Sequence, residues 1–288
     1  MKTATKTNNA RFVFFGTAPL AIAILDELEQ RGMKPTLIVA GVDKIDARTK
    51  KTIFPPEKEW ALKREIDVAQ PEKIDGAFLQ QLEKETTDTC IVASYGKILP
   101  KALLDIPKHG ILNVHPSLLP RLRGPSPIRS SILNDEKETG VTVILMDEKM
   151  DHGPVIAQKK VALPERPMHG LALDDLLARE GAILLADYLP RWLSGEVEPR
   201  RQNDDVATYC SFLSKEDGLI DLNADAYQNL LKIRAFEGWP GTFSFVEKQG
   251  KKIRIKIIDA HIEAGKLVLN RVVPEGKKEM SFEEFARR

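Results

Sequence analysis

Apolar residues along the first two-thirds of this chain come in short uninterrupted runs, and most runs are followed by a stretch with helical spacing. RFVFFG, residues 11–16, closes on a glycine, and PLAIAILDELEQRG then sets Ile24, Leu25 and Leu28 on one helical face before Gly32. That is strand, turn, helix. TLIVAGV reads as a second buried strand, EKEWALKREI as a helix, DVAQ as a short strand and the segment around DGAFLQQLEKE as another helix. DTCIVASYG, HGILNVH and GVTVILMD add three buried runs, and LALDDLLAREGAILLADYLPRWLSG is one long amphipathic helix. Continuous apolar strands alternating with helices predict a mostly parallel sheet covered on both faces, an α/β, Rossmann-like architecture.

The pattern changes after residue 193. SGEVEPRRQNDDVAT, residues 194–208, is polar and reads as a linker. From Tyr209 a helical ADAYQNLLKIRAF leads into alternating runs punctuated by KQGKK and EAG, the signature of a small antiparallel β unit, barrel-like in type. The expected organisation is a disordered arm over 1–10, an α/β domain over 11–193, the linker, and a C-terminal domain over 209–288.

Composition narrows the partners. The 43 Lys and Arg against 42 Asp and Glu leave a formal charge of +1, so a polyanion would have to be met by a local patch and not by the field of the whole molecule. Cys90 and Cys210 stand far apart without a C-x-x-C partner, against a disulfide framework or a zinc site. The N-terminal MKTATKTNNA lacks an apolar core and no run is long enough to span a bilayer. The expectation is a cytoplasmic protein without membrane or metal, and a monomer.

Five stretches are candidates for chemistry. The turn FFGTAP has only Gly16 of a dinucleotide fingerprint, which leaves a tight strand-to-helix turn as its reading. Asn113 and His115, one residue apart at a strand end, project to the same face. An amide can donate to a carbonyl oxygen that turns negative, and an imidazole can hold or release a proton near neutrality. MDEKMDHGP, residues 146–154, follows another strand with Asp147, Glu148 and Asp151, any of which could orient the imidazole; spacing does not choose among them. SLLPRLRGPSPI holds Leu118 and Leu119 in a proline-fixed segment, either as a flat apolar wall for a planar heterocycle or packed inward. The basic loop DKIDARTKK, residues 43–51, stands just past the second strand and could meet phosphate.

With NVHPSLLPRLRGPSPI and ETGVTVILMDEKMDHGPVIAQ in hand, the sequence resembles the methionyl-tRNA formyltransferase family over about Arg11 to Phe285. The resemblance implies a formyltransferase fold with a smaller C-terminal, OB-type, tRNA-binding domain. It implies Asn113, His115 and Asp151 as catalytic, and Ser117, Leu118, Leu119 and Pro120, with Ile98 and Leu99, as folate contacts. Arg48, Lys50 and Lys51 of the basic loop would face tRNA. The co-substrates implied are 10-formyltetrahydrofolate and initiator methionyl-tRNA, with Asn113 and a protonated His115 at the oxyanion and Asp151 relaying the proton.

The motif is shared with glycinamide ribonucleotide and sugar-nucleotide formyltransferases, so an amino-sugar nucleotide or other small amine is the alternative acceptor. LSKEDGLID, IRAFEGWPG and above all VPEGKKEMSFEEF resemble the tRNA enzymes. The chain departs from the family's pattern at GTAPLA, at GVDKIDARTKK, and around AGKLVLNRVV, where the C-terminal domain is shortened.

Overall fold

The computed structural model describes residues 10–17 and 19–287, so the arm expected over 1–10 lies, apart from Ala10, outside the described residues. Strand β1 (Phe12–Gly16) is buried along its whole length and is followed by α1 (Leu20–Gln30). A Cβ on Gly16 would lie 2.6 Å from the Phe14 ring and 2.7 Å from Ala21. Close approach, and not nucleotide binding, therefore accounts for this glycine.

Strand β2 (Leu37–Val39) precedes a separate hairpin of β3 (Lys44–Ile45) and β4 (Thr52–Ile53), which the charge run of the basic loop conceals. Then come α2 (Pro56–Leu62), β5 (Asp67–Ala69) and α3 (Gly76–Lys84). Asp75 caps α3, accepting from the Phe78 amide at 3.2 Å. The chain continues through β6 (Thr89–Ala93), α4 (Lys101–Leu104), β7 (Ile111–His115), α5 (Pro127–Leu133), β8 (Thr139–Leu145), β9 (Val155–Val161) and α6 (Gly170–Leu193).

The main sheet has seven strands in the order β5-β2-β1-β6-β7-β8-β9. From β5 to β7 all pairs are parallel, and β8 runs antiparallel to β7. The order of connection reverses between β1 and β6, which makes their carboxyl ends the place where such a sheet opens a crevice. One apolar layer of the core, with Val13, Phe15, Leu37, Val92 and Ile111, backs the sheet there, and Phe15 meets Phe78 and Tyr95 edge to face. Strand β9 escapes a reading by periodicity because three buried residues are followed by three exposed ones.

The chain divides into two compact units. The first comprises the chain up to Arg123, Gly140–Val161 and Asp175–Thr208. The polar stretch 194–208 belongs to it and does not run free. Arg200 and Val155 exchange backbone hydrogen bonds of 2.9 and 2.7 Å, and the Arg123 amide donates to the Thr208 carbonyl at 2.8 Å. Its polar composition serves backbone and side chains within the fold, which composition alone cannot distinguish from solvation.

The second unit takes the chain from Tyr209 on, together with Gly124–Thr139 and Ala162–Asp174. Two excursions from the N-terminal half thus join the C-terminal region, and the Arg129 guanidinium ties them with a two-pronged contact to Asp174 at 2.6 and 2.7 Å. Asp225 caps α7 (Ala226–Ala235), accepting from the Gln228 amide at 2.8 Å. An antiparallel sheet follows in the order β10 (Thr242–Lys248), β11 (Lys251–Glu263), β12 (Lys266–Pro274) and β13 (Met280–Ser281), ending in α8 (Phe282–Arg287). Its core joins Ile220, Ile233, Ile255, Ile257, Val272 and Phe285.

Candidate active site

Period-two alternation puts the side chains of Asn113 and His115 on one face of β7, with Val114 buried on the other. Strand β8 runs back along β7, so that Leu145 pairs with Leu112, and the turn that follows folds over toward Asn113. In that turn the Asp151 carboxylate accepts from Asn113 Nδ2 at 3.3 Å and lies 3.6 Å from His115 Nδ1. The structure therefore brings Asn113, His115 and Asp151 together.

The other acids of the turn point elsewhere. Asp147 meets His152 Nδ1 at 2.5 Å and accepts from the Lys149 amide, while Glu148 lies 3.6 Å from the Lys101 ammonium. Two backbone features hold Asp151 where it is. It sits at φ +49°, a left-handed conformation that Asp tolerates better than most residues. Gly153 lies against β8, since a Cβ there would be 1.8 Å from the Leu145 carbonyl oxygen.

The second nitrogen of His115 is also engaged. Nε2 lies 2.9 Å from the Leu122 carbonyl oxygen, which can only accept, so Nε2 carries a hydrogen. Nδ1, the other ring nitrogen, faces Asp151. Side-chain amide, imidazole and carboxylate form one polar cluster, in which the amide is hydrogen-bonded to the carboxylate and the imidazole lies 3.6 Å from it; His115 is buried and Asn113 half-buried.

The proline-fixed segment is held from beneath by Thr142, whose hydroxyl donates to the Ser117 carbonyl at 2.7 Å and accepts from the Leu119 amide at 3.2 Å. Leu119 packs inward with Ile144 and Val155, and Ser117 is buried with its hydroxyl donating to the Arg121 carbonyl at 2.7 Å. The picture of outward leucines therefore fails at Leu119, because an apolar pocket between β8 and β9 claims its side chain. Leu118 and Pro120 stay half-buried. On the loop after β6, Ile98 is 90% exposed while Leu99 is buried in the core. Arg48, Lys50 and Lys51 are exposed on the turn between β3 and β4, which Asp46 closes by accepting from the Arg48 and Thr49 amides.

Two residues of the site went unnoticed in the sequence. Arg123, 1% exposed, donates through Nε and Nη2 to Gln202 Oε1 at 3.1 and 2.8 Å, and Gln202 Nε2 donates to the carbonyls of Asp151 and Gly153, both at 2.8 Å. No spacing rule marks a glutamine in a polar stretch as part of a site. Arg123 also donates to Asp204 at 2.7 Å, and His152 Nε2 lies 3.3 Å from the same carboxylate. The Arg123 guanidinium first, and the His152 imidazole after it, hold the Asp204 carboxyl below its ordinary value of 3.8.

A doubly wound sheet carrying this cluster on a central strand, beside its switch point, defines an α/β enzyme built for acyl-type transfer. Residues 10–172 match the formyl transferase family and residues 213–266 its C-terminal domain. The chain belongs to the formyl transferase family and is a formyl-transferring enzyme. It is 38% identical over 247 residues to a methionyl-tRNA formyltransferase of Caldanaerobacter subterraneus subsp. tengcongensis, covering 85% of this chain and 79% of that one. Among solved structures, methionyl-tRNA formyltransferase from Clostridium thermocellum superposes with a TM-score of 0.63 at 18% identity, covering 92% of this chain and 98% of that one. An N-formyltransferase from Helicobacter canadensis, solved with folinic acid and dTDP-3-aminofucose, gives 0.66 at 18% identity, covering 88% and 87%. The last two likenesses concern fold alone.

Proposed function

We propose that this enzyme transfers the formyl group of 10-formyltetrahydrofolate to the α-amine of initiator methionyl-tRNA, giving N-formylmethionyl-tRNA for translation initiation in the cytoplasm. The observation that carries the chemistry is Asp151 reaching both Asn113 and His115. The acceptor is supported by sequence identity, because the fold is as similar to an aminosugar enzyme as to a tRNA enzyme.

An α-amine has a pKa of about 7.7 to 8.0, so a fair fraction of it is already a free nucleophile at neutral pH. The site then needs alignment and charge stabilisation more than a strong base. Asn113 Nδ2 has two hydrogens; one is given to Asp151 and the other serves the carbonyl oxygen as the amine adds to the formyl carbon. His115 Nδ1–H supplies a second donor to that oxyanion, and its ring is held by the Leu122 carbonyl through the far nitrogen. Asp151 accepts the proton that the amine loses and returns it to the folate nitrogen as the old C–N bond breaks. One well-placed oxyanion donor is worth roughly a hundred- to a thousandfold in turnover.

For the donor, the exposed Ile98 offers an apolar face, Leu99 anchors its loop in the core, and the segment Ser117, Leu118, Leu119 and Pro120 flanks β7. With Leu119 and Ser117 turned inward, contact there falls to Leu118, Pro120 and backbone.

For the acceptor, each unit presents a basic surface. The first has Arg48, Lys50 and Lys51 on the β3–β4 turn. In the second, Phe243 and Phe245 of β10 and Lys252, Arg254 and Lys256 of β11 share the outward face of the sheet. Arg254 lies 4.0 Å over the Phe243 ring and Lys252 4.8 Å over Phe245, the mix of cations and rings that suits nucleic acid.

The test is direct. The purified protein is incubated with 10-formyltetrahydrofolate and either methionyl-tRNA or amino-sugar nucleotides, and the formylated product is identified. Formylation of the sugar nucleotides alone would overturn the acceptor; formylation of neither would overturn the reaction.

A further inference from the structure

We infer that Gln202, oriented by Arg123, is a positioning residue for Asp151. This rests on the reading of Asp151 as part of the formyl-transfer site and goes beyond it, since Gln202 lies about fifty residues away in the polar stretch that follows α6.

The argument begins with the four polar groups around one amide. On one side stand the Asp151 and Gly153 carbonyls, which only accept, each 2.8 Å from Gln202 Nε2. On the other stand two donors of Arg123, at 3.1 and 2.8 Å from Gln202 Oε1. This pattern fixes which way the amide faces, and it satisfies both hydrogens and the oxygen at once. The two carbonyls bracket Asp151–His152–Gly153, the part of the turn in which Asp151 takes its left-handed φ.

A carboxylate whose backbone is held on both sides can offer its two oxygens to Asn113 and to His115 without searching for the geometry. Arg123 in turn is held. Its Nη2 also donates to Asp204, and Asp204 is met by His152 from the turn, whose other nitrogen faces Asp147. The stretch is further fastened to the start of β9 by the Arg200–Val155 backbone pair. Gln202 is thus fixed before any substrate arrives and touches no reacting atom itself.

The informative variant is Gln202→Glu. A glutamate keeps its size and its contact with Arg123, yet turns an oxygen toward two carbonyls and so releases the turn. Turnover should fall about ten- to a hundredfold, the scale expected for a small misplacement of a reacting group, with the Michaelis constants of both substrates little changed.

A double-mutant cycle separates positioning from general support. With Asp151→Asn already present, adding Gln202→Glu should cost about twofold or less, because the group it positions is gone. An equal loss in both backgrounds, or no loss in the single variant, overturns the inference. If Gln202→Glu does not fold, Gln202→Met, which fills the same space without the amide, replaces it.

A readout without substrate keeps this question apart from the reaction's identity. The ring-nitrogen chemical shifts of His115 should move in the Gln202 variant, since its carboxylate neighbour is displaced. Unmoved shifts overturn the positioning role, whereas a wild-type protein that formylates nothing overturns only the functional reading.

Discussion

At the scale of the residue, what matters is how few side chains carry the chemistry and how closely their backbone is packed. Asn113→Ala removes the amide donor, and turnover should drop roughly a hundred- to a thousandfold with the thermal unfolding midpoint unchanged. Asp151→Ala should act on the same scale; full activity in either purified variant would remove the assignment. Gly153→Ala is expected to fail differently. The Leu145 carbonyl oxygen stands where the new methyl must go, so stability should fall by about 1–3 kcal/mol or more, read as a lower denaturant midpoint. Asn113 and His115 are legible in the sequence because strand periodicity alone puts them side by side. Asp151 is only one of several acids there, since its position depends on a turn that folds back across β7. Gln202 and the inward packing of Leu119 depend on contacts between distant segments, which no local pattern records.

At the scale of the element, the strand runs of the central sheet are readable because a strand buried on both faces is simply apolar throughout. The edge strand β9 and the little β3–β4 hairpin are not, as each mixes exposed charge with short apolar pieces. The stretch around residues 200–208 contains a titration that should show in local stability. Asp204 has its carboxyl lowered by Arg123 and then by His152, so the folded state holds it ionised to a lower pH than the unfolded chain does. Its contribution is therefore complete above about pH 4 and is lost as pH falls further, through the lower folded value. Amide exchange over 200–208 should accelerate in that acid range more than exchange in β7 does. In Asp204→Asn the acid-induced difference should vanish; an unaltered pH response would refute the linkage.

At the scale of the whole molecule, a formal charge of +1 means that attraction for a polyanion must come from surfaces and not from the bulk. Replacing Arg48, Lys50 and Lys51 together by alanine should raise the Michaelis constant for charged tRNA, with the difference shrinking as salt rises. Equal salt slopes for variant and wild type would count against that surface. The α/β class and the C-terminal antiparallel sheet are both foreseeable from the chain's patterning, whereas the braided make-up of the second unit is not, because SPIRSSIL and its neighbours carry no strong period.

That braiding limits how the protein can be dissected. A fragment starting at Tyr209, the natural place to cut on composition, would leave α7 without α5, its packing partner from the middle of the chain. Such a piece should come out of expression aggregated or molten, and adding back a peptide spanning 124–139 should improve its solubility. The C-terminal region is accordingly not a module that evolution or an engineer could transplant whole by a single splice.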